Sequence, residues 1–106
     1  MFDYSQVDLA VDAIAKGVKP RAIIIFGSVA DRTARDDSDI DMIVVMDTDT
    51  PYFYRNIQIQ RILRANGLKV DRDVIVLTPD EFEERVNDRH SFIHEIYSKG
   101  YVAYEA

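Results

Sequence analysis

Two aspartates in the middle of the chain have a spacing that suits metal binding. Asp39 and Asp41 are two residues apart at the start of an apolar segment, so in a strand both carboxylates point to the same face. Carboxylates held this close repel each other unless a cation lies between them, and oxygen-only ligands suit Mg²⁺. An Asp-x-Asp motif alone is more often a solvated acidic loop, so the interpretation depends on further residues.

A third aspartate opens a similar segment. Asp41-Met-Ile-Val-Val is echoed by Asp73-Val-Ile-Val-Leu, and two neighbouring strands would place these carboxylates side by side at one edge of a sheet. Three aspartates can hold two metal ions about 4 Å apart, the arrangement that clamps the attacking and leaving oxygens in phosphoryl transfer. Asp71 has the same strand parity as Asp73 and stays open as the alternative. Asp73 is preferred because it borders the apolar segment.

A Gly-Ser pair, Gly27-Ser28, follows the apolar segment Ala22–Phe26. Glycine lets a ligand approach the backbone closely because no Cβ intervenes. Ser28 adds a hydroxyl at the start of a helical turn, where free N–H groups and the helix dipole favour phosphate. A Gly-Ser pair alone is more often a plain turn, but beside the aspartates it predicts a phosphate site.

The elements that must position these residues alternate between helix and strand. Ser5 and Asp8 resemble a capping box, and Gly17 is a candidate helix stop. In the first half of the chain, the hydrophobic pattern and the caps predict a helix over about Gln6–Lys16, a strand over Ala22–Phe26, a short helix or turn over Val29–Arg35 and a strand over Ile40–Val45. In the second half they predict a helix from Pro51 to Asn66, a strand over about Val70–Leu77, a helix capped by Thr78, a last helix carrying Phe92 and Tyr97, and an edge strand over Tyr101–Tyr104. The alternation predicts an α/β (α+β) fold, a small mixed sheet with helices mainly on one face, in a single domain over residues 1–106.

Composition excludes several kinds of protein. The 106 residues include no cysteine, which removes disulfides, iron–sulfur clusters and Cys-ligated zinc. With 13 basic and 19 acidic residues the net charge is −6, which argues against a broad nucleic-acid-binding face. No apolar stretch approaches the ~20 residues of a membrane span, and no signal-peptide pattern opens the chain, so we expect a soluble, cytoplasmic protein. So small a chain has room for one shallow site, and an enzyme of this size would need a partner to present the acceptor.

The spacing of these motifs resembles that of a known superfamily. Gly27-Ser28, ten intervening residues and then Asp39-x-Asp41 resemble the signature of the DNA polymerase β-type nucleotidyltransferases. The strand led by Asp73, the following Leu-Thr-Pro-Asp-Glu and the closing Gly-Tyr-Val-Ala-Tyr-Glu are similar to the minimal nucleotidyltransferases of that superfamily. These are antitoxins of two-gene modules whose toxin is a HEPN ribonuclease. The resemblance covers nearly the whole chain and implies a polymerase β-like nucleotidyltransferase fold.

The resemblance implies a catalytic and metal-binding role for three residues. Asp39 and Asp41 would ligate two Mg²⁺ ions that bridge the triphosphate of ATP. Asp73 would complete the inner metal site and help to deprotonate the acceptor hydroxyl.

For the nucleotide, the resemblance implies that Gly27 and Ser28 hold the β- and γ-phosphates. Arg32 or Arg35 would touch the triphosphate, with a surface salt bridge to a neighbouring aspartate as the alternative for either arginine.

The resemblance also implies a reaction and a partner. The chain would be a protein adenylyltransferase that moves AMP from ATP to tyrosines of its HEPN toxin and forms a hetero-oligomer with it. An acidic surface suits a basic, RNA-cutting partner. The alternative is a binding module that keeps the fold and neutralises its partner by contact alone. The intact aspartates and Gly-Ser pair favour the enzyme.

Overall fold

The computed structural model describes residues 1–106, which form one four-stranded sheet and five helices. The elements in chain order are α1 (Ser5–Val18), β1 (Ala22–Phe26), α2 (Gly27–Ala30), β2 (Ile40–Val45), a 3₁₀ turn (Tyr52–Tyr54), α3 (Arg55–Ala65), β3 (Arg72–Leu77), α4 (Pro79–Val86), α5 (Phe92–Lys99) and β4 (Tyr101–Glu105). The strand order is β3-β2-β1-β4. β1 pairs antiparallel with β2 and β4, whereas β2 and β3 are parallel. The predicted fold class, with a small mixed sheet, is confirmed.

Different helices cover the two faces of the sheet. One face packs under α1 and α3 in a core of 16 buried residues. The other packs under α4 and α5 around a smaller group of six. The larger core agrees with the prediction of helices mainly on one face, but the second face is also covered. β1 and β2 are buried at nearly every position, and such strands need apolar partners on both sides.

The first helix differs from the prediction at both ends. Ser5 does not cap it, because the backbone N–H and hydroxyl of Ser5 donate to the Asp3 carboxylate at 3.0 and 2.6 Å. Gly17 lies inside the helix, where a Cβ would come within 2.7 Å of Ile62 Cδ1. The helix runs to Val18 and ends at Lys19, whose backbone is left-handed with φ 48°. Gly17 therefore permits a close approach of α3 and does not stop the helix.

The later elements follow the prediction closely. β1 and β2 have the predicted bounds, whereas β3 begins at Arg72, two residues later than expected. The helix predicted from Pro51 is a 3₁₀ turn that continues into α3. The capping box at Thr78 forms, since Thr78 Oγ1 accepts from Glu81 N at 3.3 Å and Glu81 Oε1 accepts from Thr78 N at 2.8 Å. None of the helices has the length and apolar character needed to cross a membrane.

Candidate active site

The register of β2 and β3 brings two of the predicted carboxylates together. Asp41 and Asp73 are partners in the parallel pair, so their side chains lie on the same face of the sheet. Asp41 has the same parity as Ile43, which packs on the face covered by α4 and α5. Asp39 immediately precedes β2 at the same edge. Asp71 lies outside β3, where its carbonyl accepts a hydrogen bond from the backbone of β2, so the structure places Asp73 and not Asp71 beside Asp41.

Negative charge at this edge has no positive partner. Burial, and then the charges of Asp73 and Asp39, raise the pKa of Asp41 from 3.8 to about 6. The Asp73 carboxylate also favours the protonated form of Asp41, whose proton it can accept in a hydrogen bond. The four ion pairs of the chain involve none of these three residues. Such an arrangement destabilises the ionised carboxylates, and a bound cation would relieve it.

Gly27 lies against the carboxylate of Asp41. Its φ of +74° is in the left-handed region, and a Cβ at this position would lie 2.2 Å from Asp41 Oδ2. Glycine is required for both reasons, and the group that approaches it is the catalytic candidate itself. Ser28 follows at the start of α2, half-buried, and its carbonyl accepts from Thr33 N at 2.9 Å. Gly27 of the predicted Gly-Ser pair and Asp41 of the predicted aspartates therefore lie in direct contact.

Two open clefts meet at this end of the sheet. The first, here called the carboxylate cleft, has a volume of about 510 Å³ and is lined by Phe26, Asp41, Asn56, Arg72, Asp73, Val74, Ile75 and Phe92. The second, the glycine cleft, has a volume of about 310 Å³ and is lined by Phe26, Gly27, Asp31, Phe92, Glu95, Ile96 and Lys99. Phe26 and Phe92 line both clefts, so the two clefts share part of their walls.

Sequence reasoning missed several lining residues. Arg72 Nε donates to Gln60 Oε1 at 2.8 Å, and Gln60 Nε2 donates to Asn56 Oδ1 at 3.3 Å, so a hydrogen-bonded row forms one wall of the carboxylate cleft. Arg72 lies between Asp71 and Asp73 in the sequence, and this position was the one signal that could have placed it near the site. Phe92 was predicted only as a residue of the last helix, and it is 62 % exposed. Asn56 carried no local signal, because its position depends on how α3 packs beside β3.

Arg32, predicted to bind the nucleotide, is not brought to the site. Its backbone is left-handed with φ 62°, and its guanidinium lies 4.4 Å from the centre of the Tyr4 ring. The guanidinium makes this cation–π contact in the structure, and the alternative salt bridge to an aspartate does not form. The tight turn after α2 directs the side chain toward the start of α1 and away from both clefts.

The donor set at the carboxylate edge suits Mg²⁺, since it consists of carboxylate oxygens without sulfur or imidazole. The glycine at position 27 leaves the space beside Asp41 Oδ2 that any other residue would fill. The three carboxylates do not converge on one point, because no group of three acidic or histidine side chains is close enough to hold an ion. For all three carboxylates to bind one ion, at least one of these side chains would have to move.

Comparison with known families identifies the family of the chain. The family described as polymerase β nucleotidyltransferase matches residues 8–106, which includes Gly27, Ser28 and all three aspartates. No curated protein matches the chain.

Solved structures share the architecture at low sequence identity. A protein from Sulfolobus solfataricus described as a nucleotidyltransferase is 21 % identical, with a TM-score of 0.62 over 95 % of this chain and 84 % of that one. A toxin–antitoxin with AMP-PNP is 18 % identical, with a TM-score of 0.63 over 99 % of this chain and 75 % of that one. A spectinomycin adenyltransferase from Enterococcus faecialis, with ATP and spectinomycin, is 21 % identical, with a TM-score of 0.57 over 95 % of this chain and 46 % of that one. At these identities the likeness shows the fold alone.

Proposed function

The chain belongs to the polymerase β nucleotidyltransferase family, and from that premise we propose that it transfers AMP from ATP to a hydroxyl group of a partner protein. The observation that carries the proposal is the in-register pair Asp41 and Asp73 beside Gly27, with no cation of the chain to neutralise it. Perturbed, unpaired carboxylates in an open cleft are typical of functional sites. The active unit would be the single domain over residues 1–106.

Asp39, Asp41 and Asp73 would hold the metal, two Mg²⁺ ions in the proposal. When bound, these ions would neutralise charge on the triphosphate and on the leaving pyrophosphate. The half-buried position of Asp41 and the exposed position of Asp73 suit a site that is fixed on one side and open to substrate on the other.

The reaction is an in-line displacement at phosphorus. The acceptor oxygen attacks the α-phosphorus of ATP, the bond from that phosphorus to the bridging oxygen breaks, and pyrophosphate leaves. The acceptor's proton passes to a carboxylate oxygen of Asp73, which faces the carboxylate cleft. Gly27 and Ser28 hold the β- and γ-phosphates through the turn that follows β1. Positioning and charge stabilisation then supply most of the rate enhancement.

The proposed acceptor is a tyrosine of a HEPN-type ribonuclease toxin, with which the chain forms a hetero-oligomer as its antitoxin. The structural likeness to a toxin–antitoxin that holds an ATP analogue supports this choice. Both clefts are open, so an acceptor group can enter from another molecule. The exposed ring of Phe92 at their rim offers an apolar contact to a protein, and the net charge of −6 favours a basic partner.

One observation favours a second candidate, neutralisation of the partner by binding without catalysis. The three carboxylates are not gathered into a group ready to hold a metal ion. A chain that had kept the fold but used it only for contact would not need to gather them.

Intact mass spectrometry of a co-purified HEPN-type partner, before and after incubation with the chain and Mg-ATP, separates the two candidates. The proposed function predicts that the partner's mass rises in steps of one AMP. The Asp39→Asn/Asp41→Asn double variant, matched to the wild type in fold and size, should give no such rise. An unchanged mass on a partner shown to be unmodified and tightly bound would contradict transfer and support neutralisation by contact.

A further inference from the structure

The glycine cleft contains only one cationic side chain. Its lining residues include Asp31 and Glu95 as acids and Lys99 as the sole base. A triphosphate held by the Gly-Ser turn would lie beside these acids and close to the three aspartates of the carboxylate edge. Its negative charge would therefore need a positive partner from the chain in addition to any bound metal.

The backbone, and not a flexible loop, places Lys99 beside this turn. Gly100 ends α5, and a Cβ at Gly100 would come within 2.5 Å of the Ile25 carbonyl oxygen. Its N–H donates to the Ile96 carbonyl at 2.9 Å, which closes the last turn of the helix. Ile25 is two residues before Gly27, so this contact of Gly100 holds the end of α5, which carries Lys99, beside the strand that leads into the Gly-Ser turn.

Lys99 is also free to change partners. Its Nζ lies 3.5 Å from Glu95 Oε1, in a pair whose side chains are 70 % and 66 % exposed. Such exposed i,i+4 pairs contribute little to stability. The cation that lines the carboxylate cleft is engaged, since Arg72 donates to Gln60 and to the Val70 carbonyl.

We propose that Lys99 is a nucleotide-binding residue whose ammonium contacts the triphosphate of ATP in the glycine cleft. The inference rests on the proposed function, because it assumes that this end of the sheet binds a nucleoside triphosphate. It assigns to α5 the role that the sequence assigned to Arg32. Phosphate charge and the compact ammonium then determine affinity, and the adenosine moiety does not contact Lys99.

Isothermal titration of the wild-type chain with ATP and with adenosine, in Mg²⁺ buffer, tests the assignment. We expect Lys99→Gln to weaken ATP binding about tenfold, as for loss of one charge-assisted hydrogen bond, and to leave adenosine binding unchanged. Lys99→Arg should restore most of the affinity for ATP. Lys16→Gln is the matched control, because Lys16 is exposed on α1, lines neither cleft, and changes the net charge equally.

Each outcome decides between the two proposals. Equal ATP affinity of the wild type and Lys99→Gln would overturn the assignment and leave the proposed function standing. Equal weakening by Lys16→Gln would also overturn it, because the effect would then be one of net charge alone. A parallel loss of adenosine binding would also overturn the assignment, because Lys99 would then support the structure of the site and not contact the phosphates. Failure of the wild type to bind ATP at all would overturn both the assignment and the proposed function.

Discussion

Two partly buried carboxylates lie at opposite ends of the parallel pair of strands, and they have opposite electrostatic surroundings. Glu81, just beyond the end of β3, accepts two hydrogen bonds from the Arg55 guanidinium at 2.6 and 3.3 Å and one from Thr78 N at 2.8 Å. These contacts lower the pKa of Glu81 to about 2. Asp41, near the start of β2, is partly buried and lies beside two other carboxylates. Burial and the charges of these carboxylates raise the pKa of Asp41 to about 6.

The difference separates a structural carboxylate from a candidate functional one. At the Glu81 end the fold supplies every donor that the charge needs, so the carboxylate fastens α3 to the capped start of α4. At the Asp41 end the fold supplies two more acids and a glycine that makes room for the carboxylate. The ionised form is destabilised there, which is the usual state of a site that awaits a cation or substrate.

The largest expected effect comes from removing the charge at the Asp41 end. Asp41→Asn should lower the rate of nucleotidyl transfer by about 10³-fold, because preorganised charge at the reacting phosphate is lost. Asp71→Asn, an exposed position outside β3, is the matched control and should retain the wild-type rate. Pyrophosphate release in the presence of the acceptor measures both variants. A comparable loss in Asp71→Asn would contradict the account, because Asp71 would then take part in the reaction from outside β3.

The Glu81 end should respond in stability and not in activity. Glu81→Gln leaves the Arg55 side chain, only 9 % exposed, without its partner. Because breaking a buried pair costs more than an exposed one contributes, we expect a loss of about 2 kcal/mol in the free energy of unfolding. Asp47→Asn, which breaks the exposed pair with Arg21, should cost less than about 0.5 kcal/mol. Urea denaturation measures both losses, and comparable values would contradict the distinction.

Two glycines with the same backbone conformation sharpen the comparison. Gly27 and Gly67 have φ values of +74° and +77°, so alanine at either position should cost about 1 kcal/mol from the backbone alone. Only Gly27→Ala also places a Cβ against Asp41, since nothing lies within 4 Å of a Cβ at Gly67. We expect Gly27→Ala to lower transfer by about tenfold or more and Gly67→Ala to leave it unchanged. Equal activities, measured at matched folded fractions, would exclude a role for the close approach.

The dependence of stability on pH should show both ends at once. The folded pKa of Glu81 is below its ordinary value of 4.5, so its contribution is complete above about pH 4.5 and is lost as pH falls toward 2. The folded pKa of Asp41 is above its ordinary value of 3.8, so stability falls as pH rises from about 4 to 6, by roughly 1 kcal/mol after solvent screening. Urea denaturation from pH 3 to 8 should give a maximum near pH 4 to 5. Asp41→Asn should abolish the upper decline, and a decline that persists in this variant would assign it to another group.

Features encoded by neighbouring residues could be predicted from the sequence. The strands Ala22–Phe26 and Ile40–Val45 are continuous apolar runs, and the capping box at Thr78 depends on residues within one helical turn. The pairing of Asp41 with Asp73 could also be predicted, because both aspartates open strands of the same pattern.

Features that depend on the meeting of distant segments could not be predicted. The resemblance implies a triphosphate contact for Arg32 or Arg35, and the sequence gives no sign that a left-handed turn lays Arg32 on Tyr4. Gly17 is a residue type that often ends a helix, but here it lies within α1 and makes room for Ile62 of α3. Lys99 is over 70 residues from Gly27, and the packing of α5 and Gly100 on β1 brings the two together.

The central claim is that the carboxylates around Asp41 bind a cation, whereas Glu81 already has Arg55 as its cationic partner. Thermal unfolding with and without Mg²⁺ tests this claim most directly. MgCl₂ and NaCl of equal ionic strength would be compared at pH 7.5 for the wild type, Asp41→Asn and Glu81→Gln. A cation that binds the folded state raises its melting temperature, so Mg²⁺ should stabilise the wild type and Glu81→Gln but not Asp41→Asn. No Mg²⁺-specific rise in the wild type, or the same rise in Asp41→Asn, would contradict the account.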